Sequence, residues 1–303
     1  MKQPITLADV QKFENMEFLA KQLVEGFITG LHQSPYHGFS VEFSEHRLYN
    51  SGESTRHIDW KVFARTDKLF VKRYEEETNL RCHLLLDVSP SMYYPVDTHG
   101  KIKFSVLCAA AIATLLRKQR DAVGLVTFAD SIQLQTPVRS TASHLHTLLL
   151  LLQQQLDAVP ARSGTEVPDV IHQIAQQIPK RSLVIIFSDM LGRNEDMDAT
   201  FSALQHLKHQ KHEVLIFHVM DRKTEEEFEF AERPYIFVDV ETGQELKLQP
   251  SQVREHYKTA VENYKRELAL KCGQYKIDFV PVDISETFDK VLYSYLVKRA
   301  KVR

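Results

Sequence analysis

Two apolar runs, each cut off by an aspartate, constrain this chain more than any other feature in it. The first is Leu84-Leu85-Leu86-Asp87 and the second is Leu183-Val184-Ile185-Ile186-Phe187-Ser188-Asp189. Runs of this kind read as strands buried on both faces, the habit of parallel sheets. Such sheets gather ligands outside the carboxyl ends of their strands, so Asp87 and Asp189 are expected at one edge. Asp87 continues into Val88-Ser89-Pro90-Ser91-Met92, which adds two hydroxyls to the first carboxylate. A loop hydroxyl from Ser163-Gly164-Thr165 can add a third. Carboxylates with neutral oxygens suit a hard divalent cation, and Mg2+ in particular keeps several waters and takes few protein carboxylates. A site of this composition would hold the ion with one coordination position open.

The rest of the chain supplies the sheet. From residue 81 onward apolar strands alternate with helix-length segments, the pattern of a parallel sheet with helices on both faces. The expected strands are 82–87, 122–129, 132–136, 182–188, 213–219 and 277–282. The segment 101–117 carries Phe104, Val106, Leu107, Cys108, Ala109, Ala110, Ala111, Ile112, Ala113, Leu115 and Leu116 on nearly all its faces. A helix apolar all round is buried on several sides, so this one is expected to pack centrally. Upstream, Phe13, Met16, Leu19, Leu23 and Phe27 recur at helical spacing and predict a helix over 8–32, before strands near 39–50 and 68–76. The organisation is therefore a smaller amino-terminal module over 1–78 and a larger α/β domain over 79–303.

Composition narrows the function classes. The 303 residues are 43% hydrophobic and 26% charged with a formal charge of −2 and a pI of about 6.7. That balance gives no global electrostatic reason to bind nucleic acid or an anionic membrane. The start, Met1-Lys2-Gln3-Pro4-Ile5-Thr6, lacks the features of a signal peptide, and Leu148–Leu152 is too short to cross a bilayer, which together give a cytoplasmic expectation with no transmembrane segment. Cys82, Cys108 and Cys272 lie far apart in apolar contexts and read as reduced, buried thiols. His206, His209 and His212 are badly spaced for a zinc site and read as a solvated, lysine-interspersed face, with His144 and His146 as ordinary helix surface. The basic residues Lys61, Arg65, Lys68, Lys72 and Arg73 are interrupted by Asp59, Asp67 and Glu75, which argues against a nucleic-acid patch. Glu225-Glu226-Glu227 reads as a solvated loop.

Asp87-x-Ser89-x-Ser91, Thr165 and Asp189 resemble the metal-ion-dependent adhesion site of von Willebrand factor A (vWA) domains. Upstream, Arg47-x-Tyr49-x-x-Gly52-Glu53, Arg56-x-Ile58-Asp59-Trp60 and Ala64-Arg65 resemble the signature of the domain-of-unknown-function 58 family, in which an A domain follows this leader. Phe237-Val238-Asp239-Val240-Glu241-Thr242-Gly243 and Ile277-Asp278-Phe279-Val280-Pro281-Val282-Asp283, with Leu296 and Arg299, also match its pattern, so the likeness covers roughly 40–300. The resemblance implies a vWA/Rossmann-like, doubly wound, mainly parallel sheet with residues 132–136 as an antiparallel edge strand. It also implies a metal held by Asp87, Ser89, Ser91, Thr165 and Asp189, the ion being Mg2+ with Mn2+ and Ca2+ as alternatives. Thr165 has a competing use as the N-cap of a helix near 168–178, and Ser163 is the fallback ligand.

In the A-domain family the open coordination position takes an acidic side chain from a partner protein. Members of the domain-of-unknown-function 58 family commonly accompany MoxR-type AAA+ ATPases, which implies such an ATPase as partner. The expected role is therefore non-enzymatic: an adaptor in a chaperone-like or metal-cofactor-insertion system. The alternative is a Mg2+-dependent phosphohydrolase of haloacid-dehalogenase-like type, which also places an aspartate beside Mg2+ at the end of a first strand. Those enzymes carry a second aspartate two residues on, where this chain has Ser89, and a serine cannot perform that proton transfer near neutral pH. No G-x-x-x-x-G-K-[ST] loop, G-x-G-x-x-G turn or G-x-S-x-G elbow occurs.

Overall fold

The structure is a computed structural model that describes residues 16–33, 46–48, 63–65, 67, 70–72, 80–158, 167–190, 197–240 and 242–302. It divides into two compact units, one running from Leu31 to Asn79 and the other combining the chain up to Gly30 with everything from Leu80 on. In the smaller unit the described strands β1 (His46–Leu48) and β2 (Phe70–Lys72) pair antiparallel. The Arg56-x-Ile58-Asp59-Trp60 motif lies outside the described residues.

The larger unit opens with helix α1 (Met16–Gln33) as far as Gly30 and is built on six strands. These are β3 (Arg81–Asp87), β4 (Ala122–Phe128), β5 (Ile132–Gln135), β6 (Leu183–Ser188), β7 (Glu213–Met220) and β10 (Asp278–Asp283). They run in the order β10-β7-β6-β3-β4-β5, all parallel except β5, which folds back on β4 as an antiparallel edge. The expected α/β architecture, its mainly parallel sheet and its antiparallel edge strand are all present. Each of the six expected strands is found within one residue of its predicted bounds.

The strand order explains where a site can form. From β3 the chain moves to β4 and β5 on one side, whereas β6, β7 and β10 extend the sheet on the other. The order therefore reverses between the neighbours β3 and β6, and loops leaving them diverge to open a crevice at their carboxyl ends. Asp87 ends β3 and Asp189 follows β6, so both acids stand at that crevice.

Helices cover the sheet. Between β3 and β4 lies α2 (Gly100–Lys118), the all-round apolar helix, whose residues from Gly100 to Leu116 are buried but for Lys103. It packs against α3 (Ala142–Asp157) and α7 (Asp289–Val302), with Phe104 stacked on Phe288 at 4.9 Å. A second core is formed by α4 (Val167–Gln177), α5 (Met197–His209) and α6 (Pro250–Gln274) against Leu85, Val126, Val184, Ile186, Val214 and Ile216. The sequence pattern missed the hairpin of β8 (Tyr235–Val238) and β9 (Glu245–Leu248), because each strand is only four residues long, β8 alternates half-buried and exposed apolar residues, and β9 is mostly exposed with charges at Glu245 and Lys247. All three cysteines are free and buried, as their apolar contexts predict. Among the described residues no helix is long and apolar enough to cross a membrane.

Three of the histidine readings need correction. His144 is buried on α3, and its Nε2–H donates to the Val123 carbonyl at 3.0 Å, so it ties α3 to the sheet and is not helix surface. His212 lies past the end of α5, fully buried, and its Nδ1 accepts the Ser182 N–H at 3.2 Å. His206 sits against His172 across the α4–α5 seam, the two Nδ1 atoms 3.2 Å apart. His209 is exposed, as read from the sequence.

A fourth histidine makes the fold acid-sensitive. His83 on β3 is 4% exposed, its Nε2 has no hydrogen-bond partner among the described residues, and burial pushes its pKa down to about 4, with His212 and Arg81 adding repulsion. A histidine whose folded pKa lies below its unfolded value stabilises the fold above about pH 6.5 and loses that contribution as the pH falls toward 4. Equilibrium unfolding in denaturant should therefore lose up to about 3 kcal/mol from this one residue over that window. His83→Met should flatten the slope of stability against pH, and an unchanged slope would remove His83 as its source.

Candidate metal and partner site

The crevice between β3 and β6 is furnished by three local turns. After Asp87 the chain enters a single 3-10 turn, Pro90–Tyr93, whose first N–H groups have no partners within the turn. Asp87 satisfies part of this need, since its Oδ1 accepts the Ser89 N–H at 2.9 Å. Its Oδ2 accepts the Ser188 hydroxyl at 2.6 Å, which stitches β3 to β6 at their ends. Ser188 Oγ in turn accepts the Met190 N–H at 2.9 Å, fixing the turn that carries Asp189. The Ser89 and Ser91 hydroxyls lie 3.0 Å apart and share a hydrogen bond. Asp87, Ser89, Ser188 and Asp189 are each no more than 2% exposed, and Ser91 is 8% exposed.

Placing two carboxylates here has an electrostatic consequence. Burial is the main cause that pushes the Asp87 carboxyl up to about 7, and the nearby Asp189 charge raises it further, against the Ser188 and Ser89 hydrogen bonds that favour the ion. Asp189 has a cationic partner that the sequence reading did not single out. The Lys101 ammonium, on a side chain with no exposure at all, lies 2.8 Å from Asp189 Oδ2 and 2.5 Å from Glu225 Oε1. Those two carboxylates hold the ammonium charged, raising its pKa above the ordinary lysine value in spite of its burial. The ammonium also lies 5.6 Å from the centre of the Tyr94 ring, within reach of a cation–π attraction.

Glu225 enters from the far side. It belongs to a π-helical turn, Arg222–Glu226, that directly follows β7, and its Oε2 accepts the Asp221 N–H at 2.7 Å. Glu225 is 12% exposed in its side chain, so the solvated-loop reading of this acidic run is wrong for it. Glu226 is half-buried and pairs with Lys265 at 2.5 Å, and only Glu227, paired with Arg222, behaves as a surface charge. A charge run is a solvated face only if the backbone keeps it outside, and the π turn rotates one member inward.

Of the five residues expected to meet, the structure brings together Asp87, Ser89 and Ser91 and sets Asp189 within electrostatic reach of Asp87. Thr165 and its fallback Ser163 lie outside the described residues. Lys101, Ser188 and Glu225 complete the arrangement. Lysines in the first turn of this helix, Lys101 and Lys103, were a signal that one needs a compensating anion, because a cation is disfavoured at a helix N-terminus.

The donor set fits a small oxygen-seeking cation. Adjacent ligands of an octahedral Mg2+ at 2.0–2.1 Å stand about 2.9 Å apart, close to the 3.0 Å between the Ser89 and Ser91 oxygens. The pocket also carries more negative charge than positive. Among the described residues no three His, Cys, Asp or Glu side chains converge as a metal cage, so any ion here depends on hydroxyls and water beside the carboxylates.

The strength of the ion triad is testable directly. Lys101→Met leaves two buried carboxylates without their cation and should destabilise the fold by about 3–5 kcal/mol in urea denaturation. A loss below about 1 kcal/mol would mean that the ammonium does not stabilise the crevice.

Residues 45–267 match the sequence family described as "Protein of unknown function DUF58". The "Uncharacterized protein Rv1480" of Mycobacterium tuberculosis is 26% identical over 256 residues, 84% of this chain and 78% of that one. Among solved structures, BatB from Bacteroides thetaiotaomicron superposes with a TM-score of 0.43 at 14% identity, over 73% of this chain and 99% of that one. The SpRpn10 VWA domain gives 0.39 at 14% identity over 72% and 95%.

Proposed function

The chain belongs to the DUF58 family, and from that premise we propose that it is a non-enzymatic, divalent-metal-dependent protein-interaction module. The observation that carries the reading is the buried cluster of Asp87, Ser89, Ser91 and Asp189 at the point where the strand order reverses. In this reading the serine hydroxyls bind the cation, Asp87 and Asp189 hold it directly or through water, and Thr165 is the fifth residue of the set. Mg2+ is the ion whose spacing the hydroxyls match, with Mn2+ and Ca2+ as alternatives.

The bound ion would supply an open coordination position for one carboxylate of a partner, with specificity drawn from the surrounding surface. Each protein group has a separate task. Ser188 orients Asp87 from the neighbouring strand, and the Ser89 N–H fixes the other carboxylate oxygen, so the acid is set before the ion arrives. Lys101 holds one oxygen of Asp189, which turns a flexible two-oxygen ligand into a fixed one-oxygen ligand. The resemblance to chains that accompany MoxR-type AAA+ ATPases makes such an ATPase the proposed partner, with this protein as a cytoplasmic adaptor in a chaperone-like or cofactor-insertion system.

The phosphohydrolase reading fares worse against the geometry. Both oxygens of Asp87 are engaged by Ser89 and Ser188, an arrangement suited to orienting a ligand and poor for a nucleophile that must attack phosphorus. Ser89 occupies the position where a second acid would be needed, and its hydroxyl is turned to Ser91.

Calorimetric titration of Mg2+ and Mn2+ into chelator-treated protein tests the reading. Saturable binding is expected, with affinity reduced at least tenfold in Asp87→Ala and in Asp189→Ala. Capture of an acidic partner should need the metal and fail in folded Asp87→Ala. Metal-independent capture by that variant would overturn the mechanism, and Asp87-dependent phosphatase turnover would replace it with the enzymatic one.

A further inference from the structure

We infer that His172 and His206 form a two-histidine site for Zn2+ across the seam between α4 and α5. The site is independent of the crevice, since it uses different residues, nitrogen in place of oxygen donors and a different class of ion.

The two histidines lie 34 positions apart in the chain and meet because their helices share a core. Ile171 and Ile174 of α4 and Ala203, Leu204 and Leu207 of α5 are all buried in it, which sets His172 and His206 at the half-buried edge of the seam, each beside a core residue of its own helix. The rings do not stack. Their planes are tilted by 46° with centroids 5.4 Å apart, and they meet nitrogen to nitrogen, Nδ1 to Nδ1 at 3.2 Å. Two imidazole nitrogens bound to one tetrahedral Zn2+ at 2.0–2.1 Å stand about 3.3 Å apart. Ligands at right angles, the arrangement that Cu2+ and Ni2+ favour, would stand about 2.9 Å apart, a poorer match. Without a metal, the Nδ1–H of one ring donates to the Nδ1 of the other, so the two neutral rings are opposite tautomers. Zn2+ takes a lone pair from each Nδ1, and the proton of the donating ring moves to its own Nε2. Both rings then stay neutral and no proton is released overall.

Imidazole nitrogen suits Zn2+ and does not suit Mg2+ or Ca2+, which take oxygen. His206 lies in the last turn of α5, the end that leads to the amino end of β7, whereas Asp87 and Asp189 stand at the carboxyl ends of β3 and β6. Among the described residues no third His, Cys, Asp or Glu joins the pair, so the remaining positions of the ion take water. The affinity of such a site comes from its preset geometry: two ligands already near bonding separation, on helices fixed by packing, lose little freedom when the ion arrives. A bound ion would tie the helix that precedes β6 to the helix that follows it. His209, exposed one turn after His206, serves as the control, because the sequence sets it beside His206 while the fold sets His172 there.

The full chain, stripped with chelator, is titrated with Zn2+ against a chromophoric chelator in excess Mg2+, which competes for oxygen sites and not for imidazole. Urea unfolding is measured with and without Zn2+. Saturable binding is expected, together with a rise in the unfolding midpoint, because the folded chain alone holds both ligands in place. His172→Ala and His206→Ala should each weaken binding by about tenfold or more and abolish the midpoint shift, whereas His209→Ala should stay within about threefold of the parent. Circular dichroism establishes folding, and an alanine variant that fails to fold is replaced by the glutamine variant, which keeps a polar side chain and is a poor Zn2+ ligand. Zn2+ bound as tightly by folded His172→Ala or His206→Ala as by the parent overturns the site and assigns the ion to scattered histidines. Absence of saturable Zn2+ binding to the parent overturns it as well, and neither result bears on the crevice, which is read with Mg2+ and Mn2+.

Discussion

The ion triad of Lys101, Asp189 and Glu225 is the interaction on which the crevice depends. Ending two buried strands in carboxylates side by side is unfavourable, and burial together with the Asp189 charge drives Asp87 toward its protonated form. Asp189 stands beside it as the other acid of the crevice, with an ammonium 2.8 Å from one oxygen. The ammonium could not stay charged at the N-terminal end of a buried helix without two anions, and Glu225 is the second. Each of the three is tolerable only because of the other two. The cluster therefore ties the start of α2 to the turns after β6 and β7, at the end of the sheet where a ligand would bind.

Hydroxyls do the remaining work. Ser188 has two partners of opposite sense, donating to Asp87 and accepting from the Met190 N–H, so one small side chain sets both the acid on the neighbouring strand and the turn that presents Asp189. The Ser89–Ser91 pair keeps two oxygens at the separation an octahedral ion needs while satisfying each in the ion's absence. The buried pair of hydroxyls would give up only its one mutual hydrogen bond to an incoming cation, whereas the Asp87 carboxylate is bonded at both oxygens to the strand ends.

Much of this was legible in the sequence, and the divide between legible and hidden follows physical lines. Strands β3 and β6 declared themselves because parallel strands are apolar without interruption and stop where a polar residue must face the crevice. The convergence of Asp87 and Asp189 followed from the geometry of parallel sheets. The triad did not, because Lys101 and Glu225 lie 124 positions apart and each has a more ordinary explanation in its own neighbourhood. Glu225 sits in a run of three acids, and nothing in the run tells which one a π turn will bury. His212 and His144 were misread for a related reason: hydrogen bonds to the main chain of other segments, at Ser182 and Val123, decided their burial. Period and spacing report which face of an element turns inward, and they do not report which distant chain will be waiting there.

The placement of Glu225 gives the crevice a packed connection that a pair of aspartates would lack. Its turn leads from β7 into the segment that carries Phe228, whose ring stacks on Phe237 of β8 at 5.5 Å and against Tyr257 of α6 at 4.5 Å. Arg254 on α6 closes the same region by donating to the Phe228 and Phe230 carbonyls. Glu225 also accepts from the Asp221 main chain, so its ion pair with Lys101 is fixed to the backbone at the end of β7. The ion triad is thus joined by covalent structure and packing to the β8–β9 hairpin, whose Ile236, Val238 and Leu246 are exposed.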